Sequence, residues 1–173
     1  MESKVKVLGH PLHPMLIAFP VAFYVATFVA YIVYQNNADP FWFRLGVVAN
    51  IAGVVMAVVA AIPGLIDWAR AIPNESNAKQ TGLVHMVLNT VSILLFSAAA
   101  LLNYNKWYES LPNLGATLLL TGLGVVVTGA AGFYGWTLVQ RYHVGIDLAP
   151  GQQSMESDRK QKVFSSEPTS TRL

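Results

Sequence analysis

Four long stretches of the chain contain no charged residue: 15–34, 45–66, 83–102 and 114–139, which are 20, 22, 20 and 26 residues long. Crossing the hydrocarbon core of a bilayer takes roughly 20 predominantly apolar residues in a helix. Inside lipid every backbone N–H and C=O must be satisfied by the protein itself, and a helix does this within one segment. The expected fold is therefore all-α, an integral membrane four-helix bundle, with helices at about residues 14–35, 42–69, 81–103 and 113–143 in a domain of roughly residues 1–148. A composition of 54% hydrophobic and 12% charged residues agrees. Lys4 and Lys6 precede the first run as in a signal sequence. That run is too long for a signal h-region and no small-residue cleavage site follows, so it is expected to stay in the mature protein.

The links between runs are short and carry Asn, Pro or both, which predicts an up-down-up-down topology. With the N-terminus inside, Lys4, Lys6, Arg70, Lys79 and Arg141 fall on the inner side, against Arg44 and Lys106 outside. The positive-inside rule then puts both termini in the cytoplasm. Aromatic residues mark the two interfaces, with Tyr34, Trp42 and Trp107 at one and Trp68, Trp136 and Tyr142 at the other. From Ala149 the chain turns polar and aperiodic, and residues 149–173 read as a disordered cytoplasmic tail.

Directly before the first run stands GHPLHP, with His10 and His13 three residues apart. Pro11 and Pro14 fix φ and lack an N–H, so this segment is expected to be extended or turned, with Pro14 opening a helix. The topology brings His85, at the start of the third span, and His143, after the fourth, to the same membrane face, and Asp67 closes the second span there. Small and polar residues recur at helical spacing toward that face. In the second span they are Asn50, Gly53, Ala57, Ala60, Gly64 and Asp67; in the third, His85, Asn89, Ser92 and Phe96; in the fourth, Thr121, Gly124, Thr128, Gly132, Gly135, Val139 and His143. Tyr24, Thr27 and Tyr31 form a weaker line in the first span, where Pro20 is expected to cause a kink.

Imidazole and carboxylate groups gathered at one end of a bundle suit a haem or a transition-metal ion. For haem b the candidate ligands are His13, His85 and His143; for an iron, copper or zinc ion they are His10, His13, Asp67, His85 and His143. Placement of His10 and His13 outside the apolar run tilts the sequence reading toward the ion. The chain has no cysteine, which excludes thiolate ligands, disulfides and covalent c-type haem. Met15 and Met86 neighbour these histidines and are candidate soft ligands for copper, although core filling is the commoner use of Met.

No Ser-His-Asp or HExxH arrangement is present, so neither hydrolase nor transferase chemistry is supported, and no basic patch with interleaved aromatics suits nucleic acid. The glycines of TGLGVVVTGAAGFYG point to close helix approach, within the chain or in a homodimer through the fourth helix. Two roles stay open: an electron-transfer or metal-handling protein with a respiratory-chain partner, and a noncatalytic assembly subunit whose histidines form a hydrogen-bonded floor.

GHPLHPMLIAFPVAF, PGLIDW, TGLVHMVLN and GWTLVQRYHVGID together resemble the bacterial membrane family catalogued as domain of unknown function 2231, over residues 9–148. The resemblance implies a four-helix protein of the bacterial inner membrane with membrane-edge histidines. It brings no established activity.

Overall fold

A computed structural model describes residues 1–109, 112–146, 149–155 and 157–158. The chain opens with a small antiparallel hairpin, β1 (Lys6–Val7) and β2 (His10–Pro11), with Val7 paired to His10. Leu8 and Gly9 turn it, both at positive φ, 50° and 82°, as a two-residue hairpin turn requires. Gly9 takes that conformation without steric cost.

Helix α1 (Leu12–Leu16) leads into α2 (Ala18–Asn37). The interruption at Ile17 has a local cause. Pro20 has no N–H to offer the Leu16 carbonyl, so the ladder lapses one turn before the proline while Ile17 keeps helical angles of −63° and −23°. The disturbance expected at Pro20 thus falls at Ile17. Pro14 lies inside α1, which starts two residues before it.

Ala38, in the left-handed conformation, ends α2, and Asp39 caps α3 (Pro40–Arg70) by accepting from the Phe41 N–H at 2.9 Å. Ser76 caps α4 (Asn77–Asn103) in the same way, through the Lys79 N–H. Asn113 accepts from the Gly115 N–H at the start of α5 (Gly115–Gln140). Residues 150–155 and 157–158 are helical where the sequence shows no periodicity; residues 156 and 159–173 of the expected tail lie outside the described residues.

The helices form two hairpins, α2 with α3 and α4 with α5, and the hairpins pack through α3 against α4 and α2 against α5. Helix α2 is therefore diagonal to α4. All four spans are long and apolar enough to cross a membrane. Their outward faces carry Val25, Val48, Val55, Ile62, Leu94, Leu101, Leu119 and Val126, while Thr27, Asn50, Ser92, Asn103, Thr117 and Thr121 are buried inside. Apolar residues outside and small polar residues between helices is the arrangement lipid favours. The bundle thus contacts the bilayer directly.

The inward stripe of α3 runs as its spacing indicates, with Asn50, Gly53, Ala60 and Asp67 buried. In α5 the inner face is Thr117, Thr121, Gly124, Ala131 and Leu138, so the expected run through Gly132 and Val139 is corrected. Two consecutive steps of four overrun a 3.6-residue turn, and Gly132 is left exposed.

The hairpins are also equivalent position by position. On their first helices the offset is 72 residues, matching His13 with His85, Tyr24 with Phe96 and Tyr31 with Asn103. On their second helices it is 71, matching Gly46 with Thr117, Gly53 with Gly124, Ala60 with Ala131 and Gly64 with Gly135. The contacts match too. Tyr24 lies on Gly53 as Phe96 lies on Gly124, and His13 lies on Gly64 as His85 lies on Gly135. This is a parallel repeat about an axis running along the bundle.

Candidate functional site

His13 and His85 meet on that axis. His13 projects from α1, and its Nδ1 donates to the Ala60 carbonyl of α3 at 2.8 Å. His85 projects from the third turn of α4, and its Nδ1 donates to the Ala131 carbonyl of α5 at 2.8 Å. The two ring centroids are 6.2 Å apart with planes 87° from parallel. Both side chains are half-buried. A glycine one turn beyond each acceptor makes the approach feasible. A Cβ on Gly64 would lie 2.8 Å from His13 Nδ1, and one on Gly135 would lie 3.0 Å from His85 Cε1.

Donation from Nδ1 to a backbone carbonyl fixes the tautomer and leaves the lone pair on Nε2, the state in which imidazole ligates a metal. Asn89 reaches back along α4. Its Nδ2 donates to the His85 carbonyl at 2.8 Å and lies 3.2 Å from His85 Nε2. One turn further, Ser92 joins α4 to α5 through the Gly124 carbonyl and Thr128.

The other expected ligands are engaged elsewhere. His10 is exposed in the β-hairpin, with Nδ1 donating to the Leu8 carbonyl at 3.0 Å. Asp67 accepts from the Ser3 hydroxyl at 2.7 Å and from the Lys4 N–H at 2.6 Å. His143 lies beyond the end of α5 at φ 52°, and its carbonyl accepts from the Met1 ammonium at 3.0 Å. Gly145 N–H returns a bond to the Met1 carbonyl at 2.8 Å. Met15 is 53% exposed on the lipid side of α1.

Residues 1–5 thus lie beneath the bundle as a plug that takes up Asp67 and the backbone of His143. Among the described residues no three of His, Cys, Asp and Glu converge to hold a metal ion. Of the five expected ligands, His13 and His85 are brought ring to ring. What sequence reasoning missed is the support of that pair: the Ala60 and Ala131 carbonyls, and Gly64 and Gly135 as the clearance beside them.

The fold and the composition of its faces define a multi-pass α-helical membrane protein. A family model described as predicted membrane protein, DUF2231, matches residues 9–148, and the chain belongs to that family. No curated protein and no solved structure matches it.

Proposed function

We propose that His13 and His85 would hold the iron of one haem b on the bundle axis, and that the protein is a small electron carrier of the bacterial inner membrane. The observation that supports this is the pairing itself: two imidazoles on diagonal helices, 6.2 Å apart, each oriented by a carbonyl of the neighbouring helix. Imidazoles that ligate one ion hold it about 2 Å from each nitrogen, which sets ring centres roughly 6 Å apart when they oppose each other across it.

Ligand number favours haem over a bare ion. Zinc and similar ions take three or four protein ligands, whereas haem iron already bound by its porphyrin would need no more than two histidines from the chain. When bound, haem supplies one-electron chemistry at a potential set by axial ligands and burial. The chain's own part is to hold and orient. The Ala60 and Ala131 carbonyls would fix the imidazoles, and Asn89, bonded to the His85 carbonyl, would have to give up its contact with the His85 ring. His10, Asp67 and His143 close the bundle end without ligating.

In this reading that end faces the cytoplasm, in line with its Lys and Arg excess, and a respiratory-chain protein exchanges the electron. Gly129 and Gly132, beside which an added Cβ meets nothing, provide the face for a homodimer. A noncatalytic assembly subunit is the second reading, favoured by the plug bonded to Asp67 and His143, which closes the end as a structural floor.

A reduced-minus-oxidised visible spectrum of the gently purified protein, with metal analysis of the same sample, tests the choice. The expected result is a Soret difference with stoichiometric iron, lost in His13→Ala and His85→Ala and kept in His10→Ala and His143→Ala. No Soret band and no iron in the wild-type protein would reject the haem reading and leave the assembly subunit.

A further inference from the structure

Away from the histidines the two hairpins stop matching. Where the first has Tyr24, Tyr31 and Asn50, the second has Phe96, Asn103 and Thr121. The second hairpin satisfies most of its polar atoms internally. Asn103 Nδ2 donates to the Ala99 carbonyl at 2.7 Å and to Thr117 Oγ1 at 2.9 Å, and Thr121 donates to the Thr117 carbonyl at 2.8 Å.

The first hairpin does not. The hydroxyl of Tyr24 and, in the second hairpin, Asn103 Oδ1 lack a hydrogen-bond partner in the protein, while the Tyr31 hydroxyl and the Asn50 amide have only each other. Tyr24, Tyr31, Asn50 and Asn103 are 3%, 0%, 0% and 1% exposed. Three of them, Tyr24, Tyr31 and Asn50, lie together in the first hairpin. Tyr24 lies against Gly53 and Tyr31 against Gly46, and Asn50 falls between those glycines on the same face of α3, with its amide beside the Tyr31 hydroxyl.

Buried polar atoms in proteins are almost always bonded, to protein or to ordered water, and an orphan costs free energy comparable to a lost hydrogen bond. In a bilayer the surrounding lipid offers no substitute. These three side chains carry no charge, which argues against an ion. Two hydroxyls and one amide can each donate and accept. A small neutral partner that itself donates and accepts fits this set, and full burial restricts its size to that of water.

We propose that Tyr24, Tyr31 and Asn50 form an internal hydration site, holding ordered water within the membrane-spanning part of the first hairpin. The site lies beyond the Tyr24 and Phe96 rings from the histidine pair and does not depend on what that pair binds.

Hydroxyl-radical footprinting of the full-length protein in lipid nanodiscs, with X-ray radiolysis of water and mass spectrometry of modified side chains, tests it. Radicals formed from bound water modify adjacent side chains that bulk solvent does not reach. Tyr24 and Tyr31 are expected to be modified several-fold faster than Phe43, buried to 2% exposure, after correction for intrinsic reactivity. Asn50→Leu should bring both tyrosines down to the Phe43 rate, and Tyr31→Phe should lower the Tyr24 rate several-fold. Tyrosine rates equal to that of Phe43 in the wild-type protein overturn the proposal. So does labelling of Tyr24 that is unchanged in both variants.

Discussion

Tyr24 and Phe96 lie face to face across the bundle axis, their ring centroids 3.7 Å apart and their planes 1° from parallel. They are equivalent positions of the repeat, so here, as at His13 and His85, the two hairpins meet through matching residues. Glycine makes room on both sides. A Cβ on Gly53 would come 2.8 Å from Tyr24 Cδ1, and one on Gly124 would come 2.5 Å from Phe96 Cε2.

Gly124→Ala is therefore expected to destabilise the bundle by about 1–3 kcal/mol, the usual cost of overpacking, as measured by denaturant unfolding in mixed micelles. Gly129→Ala and Gly132→Ala provide the contrast, since nothing lies within 4 Å of an added Cβ at either. In the dissociated monomer the better helix propensity of alanine there should leave stability unchanged or raise it by up to about 1 kcal/mol. Equal losses at all three positions would contradict the packing described for α5.

The plug is fastened by Asp67. Asp67→Ala removes an acceptor for the Ser3 hydroxyl and the Lys4 N–H, and bonds to a charged group contribute about 1.5–3 kcal/mol each. Tryptic cleavage after Lys4 and Lys6 should become several-fold faster in the variant. An unchanged cleavage rate would mean that Asp67 does not hold the segment.

Lys79 joins the start of α4 to the end of α3. Its Nζ donates to the Trp68 carbonyl at 2.5 Å and the Ile72 carbonyl at 3.4 Å, and lies 4.1 Å from the Trp68 ring centroid. Lys79→Met should cost about 2 kcal/mol through the lost charge-assisted bonds and cation–π contact. Trp68 fluorescence during unfolding reports the change, and a midpoint equal to wild type would count against this junction.

Gly135→Ala separates the histidine support from general packing. The new methyl would press on the His85 ring at 3.0 Å and turn Nδ1 away from the Ala131 carbonyl. With haem bound, the expected outcome is a shifted or weakened Soret band at near-normal helicity. Preserved absorbance would show that this carbonyl bond is not needed to orient the ligand.

The spans were legible because lipid selects for length and apolarity, which leave a plain trace in residues 15–34 and 45–66. The face of α3 was legible as well, since Asn50, Gly53, Ala60 and Asp67 keep helical spacing. The α5 face drifted because its steps were extended toward His143, which lies beyond the helix end at Gln140. Ser3 and Lys4 carry no periodic signal, and half of their grip on Asp67 is a backbone N–H. The repeat was hidden by dilution. Its matches are single residues among many interchangeable aliphatics, and the surviving trace is the spacing of 11 residues from His13 to Tyr24 and from His85 to Phe96.

The up-down order of the spans also sets the field around the histidines. Two helix N-termini, those of the first and third spans, share that end of the bundle with two helix C-termini, those of the second and fourth, and the signs alternate around the ring. A helix terminus carries about half an elementary charge, so the four contributions largely cancel on the axis. The polar surroundings of His13 and His85 are then their immediate neighbours: two alanine carbonyls and the amide of Asn89.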